Sequence, residues 1–387
     1  MGRVTLFRNN RYTHVTSSPI KREFLQLAHE YNPEKPPRGG YDFSGWYVSE
    51  KLDGIRCFWD GGLTRGLPTM DVPWASVIDP KKGNIKAKIK PFSTGLWSRY
   101  GNPIQAPEWF LNGLPTLPLD GELFAGRGLF QTTTSITRKD TPIDEEWRDI
   151  QFAVYSSPPL EHVFGDGRIK NSGMVHNMEW VSINAWITQR LETLPFAQDF
   201  ISTPSGSTFD RELNILRDAL ATPSGFAYLH KQVRLPETHD SAVSYLKEHF
   251  DTVLGVGGEG LIMRSPNAIW YPKRMRHILK YKPTYDAEAV ITGFTSGRVG
   301  KQGRLQGKIG AIITEYDSKR LEIAGLTNEE REFLNPVQSQ YASENPGVDM
   351  PADYSGRHFK VGDVITFKYR ELSDIGIPKD ARYFRHS

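Results

Sequence analysis

Trp46-Tyr47-Val48-Ser49-Glu50-Lys51-Leu52-Asp53-Gly54-Ile55-Arg56-Cys57-Phe58-Trp59-Asp60-Gly61-Gly62 is the stretch on which the reading of this chain turns. Its β-branched and aromatic residues read as a strand over 46–49 that runs into 50–59. Asp60-Gly61-Gly62 then breaks the run with hairpin chemistry. Lys51 therefore falls at the end of a strand. A lysine amine attacks phosphorus only when it is partly neutral, and burial or nearby cations favour that form. Gly54 permits a tight turn beside it, and Asp53 and Arg56 set opposite charges around a polyphosphate. Taken alone, Lys-x-Asp-Gly also fits a surface turn of charged side chains.

Partners further along the chain sharpen the reading. Asp120-Gly121-Glu122 lies in a buried strand over 117–124, and 150–155 reads as another. Gly258-Glu259-Gly260 precedes a short apolar strand over 261–263. Lys280-Tyr281-Lys282 puts both lysines on one face of a third strand, by the period of two. Together these supply carboxylates for Mg²⁺ and ribose, and cations for an α-phosphate. Phosphoryl transfer from a nucleotide needs that set, because its catalysis is mainly positioning and charge stabilisation.

The remaining patterns give a two-part chain. A short helical pattern occupies 23–28, and amphipathic helices are predicted near 180–193, 210–221 and 240–250. Strands and helices do not alternate as regular βαβ units, so the first part is α+β rather than doubly wound. Composition shifts after Lys280-Tyr281-Lys282-Pro283. Beyond it, strands over 287–294, 309–316, 320–324 and 364–369, with a helix near 328–342, suit a small OB-fold β-barrel. The expected division is 1–284 and 285–387.

Composition excludes more than it identifies. With 387 residues the chain is long for one small domain, and its formal charge of +3 decides little about partners. Cys57 is the sole cysteine, which excludes an internal disulfide and a cysteine-based zinc site. No apolar run is long enough for a bilayer, Met1 opens no secretory signal, and Leu6 stands where a myristoylation signal wants Ser or Thr. A soluble protein in a reducing compartment, with no membrane partner, is the expectation. The histidines show no metal-ligand spacing. Gly126-Arg127-Gly128 lacks the strand–helix context of a phosphate loop. The loop 297–304 is basic and fits either a flexible solvated turn or a contact with a polyanion.

In order, these motifs resemble those of the covalent nucleotidyltransferase superfamily and, within it, the minimal two-domain ATP-dependent DNA ligases. The resemblance is carried by Ser49-Glu50-Lys51-Leu52-Asp53-Gly54-Ile55-Arg56, Ser98-Arg99-Tyr100-Gly101-Asn102-Pro103-Ile104, Leu119-Asp120-Gly121-Glu122-Leu123-Phe124, Phe152-Ala153-Val154-Tyr155, Gly258-Glu259-Gly260-Leu261-Ile262 and Leu279-Lys280-Tyr281-Lys282. Gly45-Trp46-Tyr47-Val48 and Ala106-Pro107-Glu108-Trp109-Phe110 are similar to flanks of the bacterial members.

The resemblance implies a nucleotidyltransferase (adenylation) domain of antiparallel sheets and helices followed by the OB-fold. It implies sealing of nicked double-stranded DNA by a monomer, with ATP and Mg²⁺ (Mn²⁺ as a substitute), wherever the DNA is: the cytoplasm, or a viral or bacterial setting. Lys51 would carry AMP and Asp53 would order the 3′-hydroxyl end. Main-chain groups at Glu50 would read the adenine edge, and Tyr155 would stack on the base. Arg56 and Arg99 would contact ribose and the nick 5′-phosphate. Glu122 would hold the ribose hydroxyl and, with Glu259, the metal. Lys280 and Lys282 would meet the α-phosphate.

Three departures stand out. Ser156 replaces the Asp that usually follows the stacking aromatic, which leaves Phe152 beside Tyr155 as a candidate ring. The basic C-terminal end, Pro378-Lys379-Asp380-Ala381-Arg382-Tyr383-Phe384-Arg385, does not show which cation would face pyrophosphate. An insertion falls within 65–95. In it Lys81 and Lys82 precede Lys86, Lys88 and Lys90, which alternate with Ile85, Ala87 and Ile89 as in a strand with one cationic face, either a solubilising edge or a grip on DNA. Rival readings are an RNA ligase or mRNA-capping guanylyltransferase of the same superfamily, and a non-catalytic nucleic-acid-binding protein.

Overall fold

The two β runs on either side of Lys51 belong to different sheets in the computed structural model of the protein. Tyr47–Glu50 lies in one sheet and Ile55–Asp60 in another, and residues 51–54 cross between them. The structure describes residues 25–34, 40–76, 88–165, 180–221, 224–298, 304–373 and 375–387. The chain divides into two compact units between Tyr281 and Lys282.

In the first unit, one sheet has the order Leu27–Glu30, Arg274–Tyr281, Leu261–Arg264, Tyr47–Glu50, Val233–Arg234. The pairing of Leu27–Glu30 with Arg274–Tyr281 is parallel and the rest are antiparallel. Leu261 and Met263 alternate inward and are fully buried beneath the helix His239–Gly255. That helix offers Ala242, Leu246, Phe250 and Val253 at helical spacing as a single apolar face. Phe250 stacks on Tyr281 with ring centroids 3.8 Å apart. Each Leu or Phe so buried contributes about 1.5–3 kcal/mol over exposure, so this face fixes the sheet.

The other sheet runs Leu96–Ser98, Ile55–Asp60, Pro118–Phe124, Gln151–Ser156, Ala227–Leu229, antiparallel except for its last pairing. Phe110, Trp147 and Leu216 back it, with Phe152 wholly buried among them.

The second unit orders its strands Lys319–Ile323, Ile309–Tyr316, Tyr285–Ser296, Val364–Tyr369, Arg382–His386, all antiparallel. A parallel bridge between Ala324 and Arg382 joins the two edges, with Tyr383 N donating to Ala324 O at 2.8 Å. The circuit of strands thereby returns on itself around Phe294, Ile312, Phe359 and Phe367. The α+β class and the OB-like second unit expected from the sequence are both present.

Several local expectations need correction. Of the helical pattern at 23–28, residues 23 and 24 lie outside the described residues, and Leu27–Glu30 is a strand. An open sheet edge at Arg274–Tyr281 offers these residues a hydrogen-bonded partner, which outweighs a short helical pattern. Asp60-Gly61-Gly62 turns the chain, but no immediate hairpin follows. Residues 61–76 instead pack Leu63, Val72 and Trp74 into a core with Trp97 before Leu96–Ser98 pairs with Ile55–Asp60. In the lysine-rich insertion, Lys81, Lys82, Ile85, Lys86 and Ala87 lie outside the described residues. Residues 88–90 form no strand; Lys88 pairs with Asp140, and Lys90 Nζ donates to Lys139 O at 3.2 Å. The helix sought near 328–342 begins only at Pro336, where Asn335 caps Gln338 N at 3.1 Å. In the basic loop 297–304, residues 299–303 lie outside the described residues.

Candidate active site

The crossing at 51–54 is held at both ends. Lys51 N donates to Gly260 O at 2.8 Å, tying the lysine to the segment after Glu259. At the other end the backbone runs so close to the next strand that a Cβ on Gly54 would lie 2.3 Å from Leu123 O. Close approach, rather than the tight turn expected from the sequence, is why glycine is needed here. Between these fixed points the Lys51 side chain enters a pocket walled by both sheets, about 620 Å³ including its open mouth. Its Nζ is hydrogen-bonded to the Glu259 carboxylate and donates to Leu52 O at 3.3 Å.

One wall comes from the second sheet. Arg56 stands opposite Glu122 in the antiparallel register. The Arg56 fork closes on Asp120, Nε to Oδ1 at 2.6 Å and NH2 to Oδ2 at 2.7 Å. Asp120 is fully buried and also accepts from Trp270 Nε1 at 2.9 Å. It therefore works as an anchor for the arginine, which leaves Glu122 to line the pocket with Arg56 and Lys51. Burial pushes the Glu122 carboxyl up to about 7, against the pull of the Lys51 and Arg56 charges. Tyr155 lines the same wall, its hydroxyl 3.4 Å from a Glu122 carboxylate oxygen, with the Arg56 guanidinium 4.9 Å from its ring centroid. Phe152 is excluded from the pocket by its place in the core.

The opposite wall comes from the first sheet. Ser49, Ile262, Arg264 and Ile278 face the cavity from it. His230 reaches across, its Nε2 2.8 Å from Glu50 O, and burial pushes its imidazole below the ordinary value. A neutral ring whose Nε2–H donates to that carbonyl satisfies both groups, so part of the Glu50 main chain is already engaged. The Glu50 side chain holds the Arg127 fork at 2.8 and 2.7 Å. Arg127 of the glycine pair thus braces the rim.

The other expected site residues are spread more widely. Asp53 sits half-buried on the crossing. Lys280 follows the pocket residue Ile278 by two positions and shares its face of the strand. Lys282 opens the second unit. Arg99 is not among the pocket's lining residues and lies against Tyr100, NH2 to hydroxyl at 2.9 Å. Among residues the sequence reading missed, Arg264 was within reach: Leu261 and Met263 point into the core, so alternation turns Ile262 and Arg264 to the opposite face. His230 had no such signal, because its partner Glu50 lies far away in the chain.

A lysine amine rests on a carboxylate between two sheets that also present an arginine, a glutamate and a tyrosine, residue types suited to binding a polyphosphate. Comparison with known proteins narrows the class. The family described as DNA ligase OB-like domain matches residues 300–386. A DNA ligase of Haemophilus influenzae is 22% identical over 362 residues, 93% of this chain and 91% of that protein. A DNA ligase of Methanococcus aeolicus is 33% identical over 90 residues, 22% of this chain and 16% of its own. Among solved structures, one from a study of DNA binding with a minimal scaffold in Lig E DNA ligases covers 94% of this chain and 98% of its own. Its TM-score is 0.56 and its identity 24%, a likeness of fold. Over nearly its whole length the chain is thus similar to a DNA ligase, and its residues 300–386 match a DNA ligase OB-like family.

Proposed function

We propose that this protein seals nicks in double-stranded DNA at the expense of ATP, acting as a monomer through a lysyl–AMP intermediate on Lys51. The observation that carries the proposal is the Lys51 amine bonded to Glu259 in a pocket that also presents Arg56, Glu122 and Tyr155. The chain's length matches that of the Haemophilus influenzae ligase almost end to end, which supports a whole ligase activity.

In the first step the Lys51 nitrogen forms a bond to the α-phosphorus of ATP, and the bond from that phosphorus to the pyrophosphate oxygen breaks. The amine must shed a proton, and the Glu259 carboxylate already in contact with it is placed to hold one. Tyr155 stacks on the base and Glu122 accepts from a ribose hydroxyl. AMP then passes to the 5′-phosphate of the nick and Lys51 departs as the free amine. The 3′-hydroxyl finally attacks that phosphate and AMP leaves. Arg56, fixed by Asp120, is set to neutralise phosphate charge without reorganising. Lys280, Lys282 and Arg99 supply further positive charge for the phosphates, and Asp53 helps to order the 3′ end.

Glu259 and Glu122 fit a divalent ion. No cluster of three or more His, Cys, Asp or Glu that could cage a metal occurs among the described residues. Mg²⁺ is usually held by one or two carboxylates together with substrate phosphates and water, so a caged site is not needed. Bound there, it would screen the polyphosphate charge.

Incubation with ATP labelled at the α-phosphate tests the proposal. A labelled protein band that fades on adding nicked duplex, as joined strands form, supports it. Labelling from GTP instead, or joining of RNA but not DNA, would replace it with a capping enzyme or RNA ligase.

A further inference from the structure

Behind Tyr155 lies a buried carboxyl with no part in the chemistry above. Glu212, on the helix Phe209–Ala219, is 1% exposed. Its Oε2 accepts from the Ser156 hydroxyl and, at 3.0 Å, from Ser157 N. These are the two residues directly after Tyr155. Arg264 holds the same short segment from the other side. It is buried in the pocket wall, donates from NH1 to Tyr155 O at 3.3 Å, and lies 5.7 Å from the Tyr155 ring centroid. Its charge also acts on Glu212. Ser156 further stands in register with Asp120, the anchor of Arg56. Carbonyl, following side chain and next amide are thus all pinned around one aromatic residue.

We propose that Glu212 is a positioning residue for the nucleotide: by clamping Ser156 and Ser157 it fixes the Tyr155 ring at the angle that receives the base. The inference rests on the reading of Tyr155 as the stacking ring. The physical reason is geometric. A stacking surface is useful only when its plane is set before the ligand arrives, and small misplacements lose much of the binding energy. Burial pushes the Glu212 carboxyl up to about 8, so at neutral pH it is mostly protonated and acts through its acceptor lone pairs. A glutamine, neutral and with an acceptor oxygen in the same place, is therefore a near mimic.

The test is the rate of lysyl–AMP formation against ATP concentration. Glu212→Ala is expected to raise KM for ATP about tenfold, the scale of a disturbed base–aromatic stack, and to leave the rate at saturating ATP within about threefold. Glu212→Gln is expected to stay within about twofold of wild type, since its amide oxygen still accepts. Ser156→Ala removes a single oxygen and is expected to raise KM about threefold, so the clamp is still tested if Glu212→Ala does not fold. A variant that merely unfolds lowers the active fraction and leaves KM unchanged. Tyr155→Ala separates base stacking from positioning. If Tyr155→Ala leaves KM unchanged, the stacking reading itself fails. If it raises KM while Glu212→Ala and Ser156→Ala do not, or if Glu212→Gln is as impaired as Glu212→Ala, the positioning role is overturned.

Discussion

At Lys51 the amine proposed as nucleophile is held by a contact that must give way during the proposed reaction. Its amine rests on Glu259 while Glu122 and Arg56 line the adjoining wall. Lys51→Ala is expected to abolish both the AMP adduct and ligation with ATP. The same variant should still join a nick adenylated beforehand, because that last step needs no covalent amine; a gel assay of both substrates distinguishes the cases. Glu122→Ala and Glu259→Ala are expected to slow adduct formation by at least about two orders of magnitude, the scale of losing one transition-state electrostatic contact. Single-turnover rates at saturating ATP measure that loss. At this scale the sequence was legible where chemistry dictates residue type within one segment, as around Lys51, Glu122 and Glu259. His230 and Glu212 were not legible, since each acts through a partner remote in the chain, Glu50 and Ser156 respectively.

The elements position these residues through burial. The helix His239–Gly255 carries the first sheet on a single apolar face, and Leu246 at its centre is 2% exposed. Leu246→Ala is expected to cost about 2–5 kcal/mol, the range for a buried leucine replaced by alanine; denaturant unfolding measures it. The helix Phe209–Ala219 brings in Glu212, whose pKa rises from the ordinary carboxyl range to about 8 on folding because of burial. The folded state therefore binds that proton more tightly than the unfolded chain. The contribution is fully present below the unfolded pKa and is lost as pH rises through about 8. Thermal unfolding between those limits should show stability falling with pH, and Glu212→Gln should flatten that fall. Longer periodic elements, such as the helices near 180–193, 210–221 and 240–250, were legible because one buried face fixes their period. Leu27–Glu30 was not, for it exists only through the sheet edge it completes. Arg382–His386 was read only as a basic end, since its strand character comes from pairing with Val364–Tyr369.

On the scale of the whole molecule, a first unit with the pocket and an OB-like second unit together make a chain of 387 residues. No helix among the described residues is long and apolar enough to cross a membrane. Removal of divalent ions with excess EDTA is expected to stop ligation entirely, and added Mg²⁺ to restore it; full activity in EDTA would refute a metal role. The two-part division was visible in the composition shift after Lys280-Tyr281-Lys282-Pro283, because a small β unit has its own turn-rich pattern. The most direct test of the central proposal uses enzyme labelled from α-labelled ATP, freed of nucleotide, and then mixed with nicked duplex in Mg²⁺ without ATP. Label should leave the wild-type protein as sealed strands and free AMP appear in equal amount, and Lys51→Ala should never acquire it. A protein that takes no label, a label that stays on the protein in the presence of a nick, or normal labelling of Lys51→Ala would contradict ligation through Lys51.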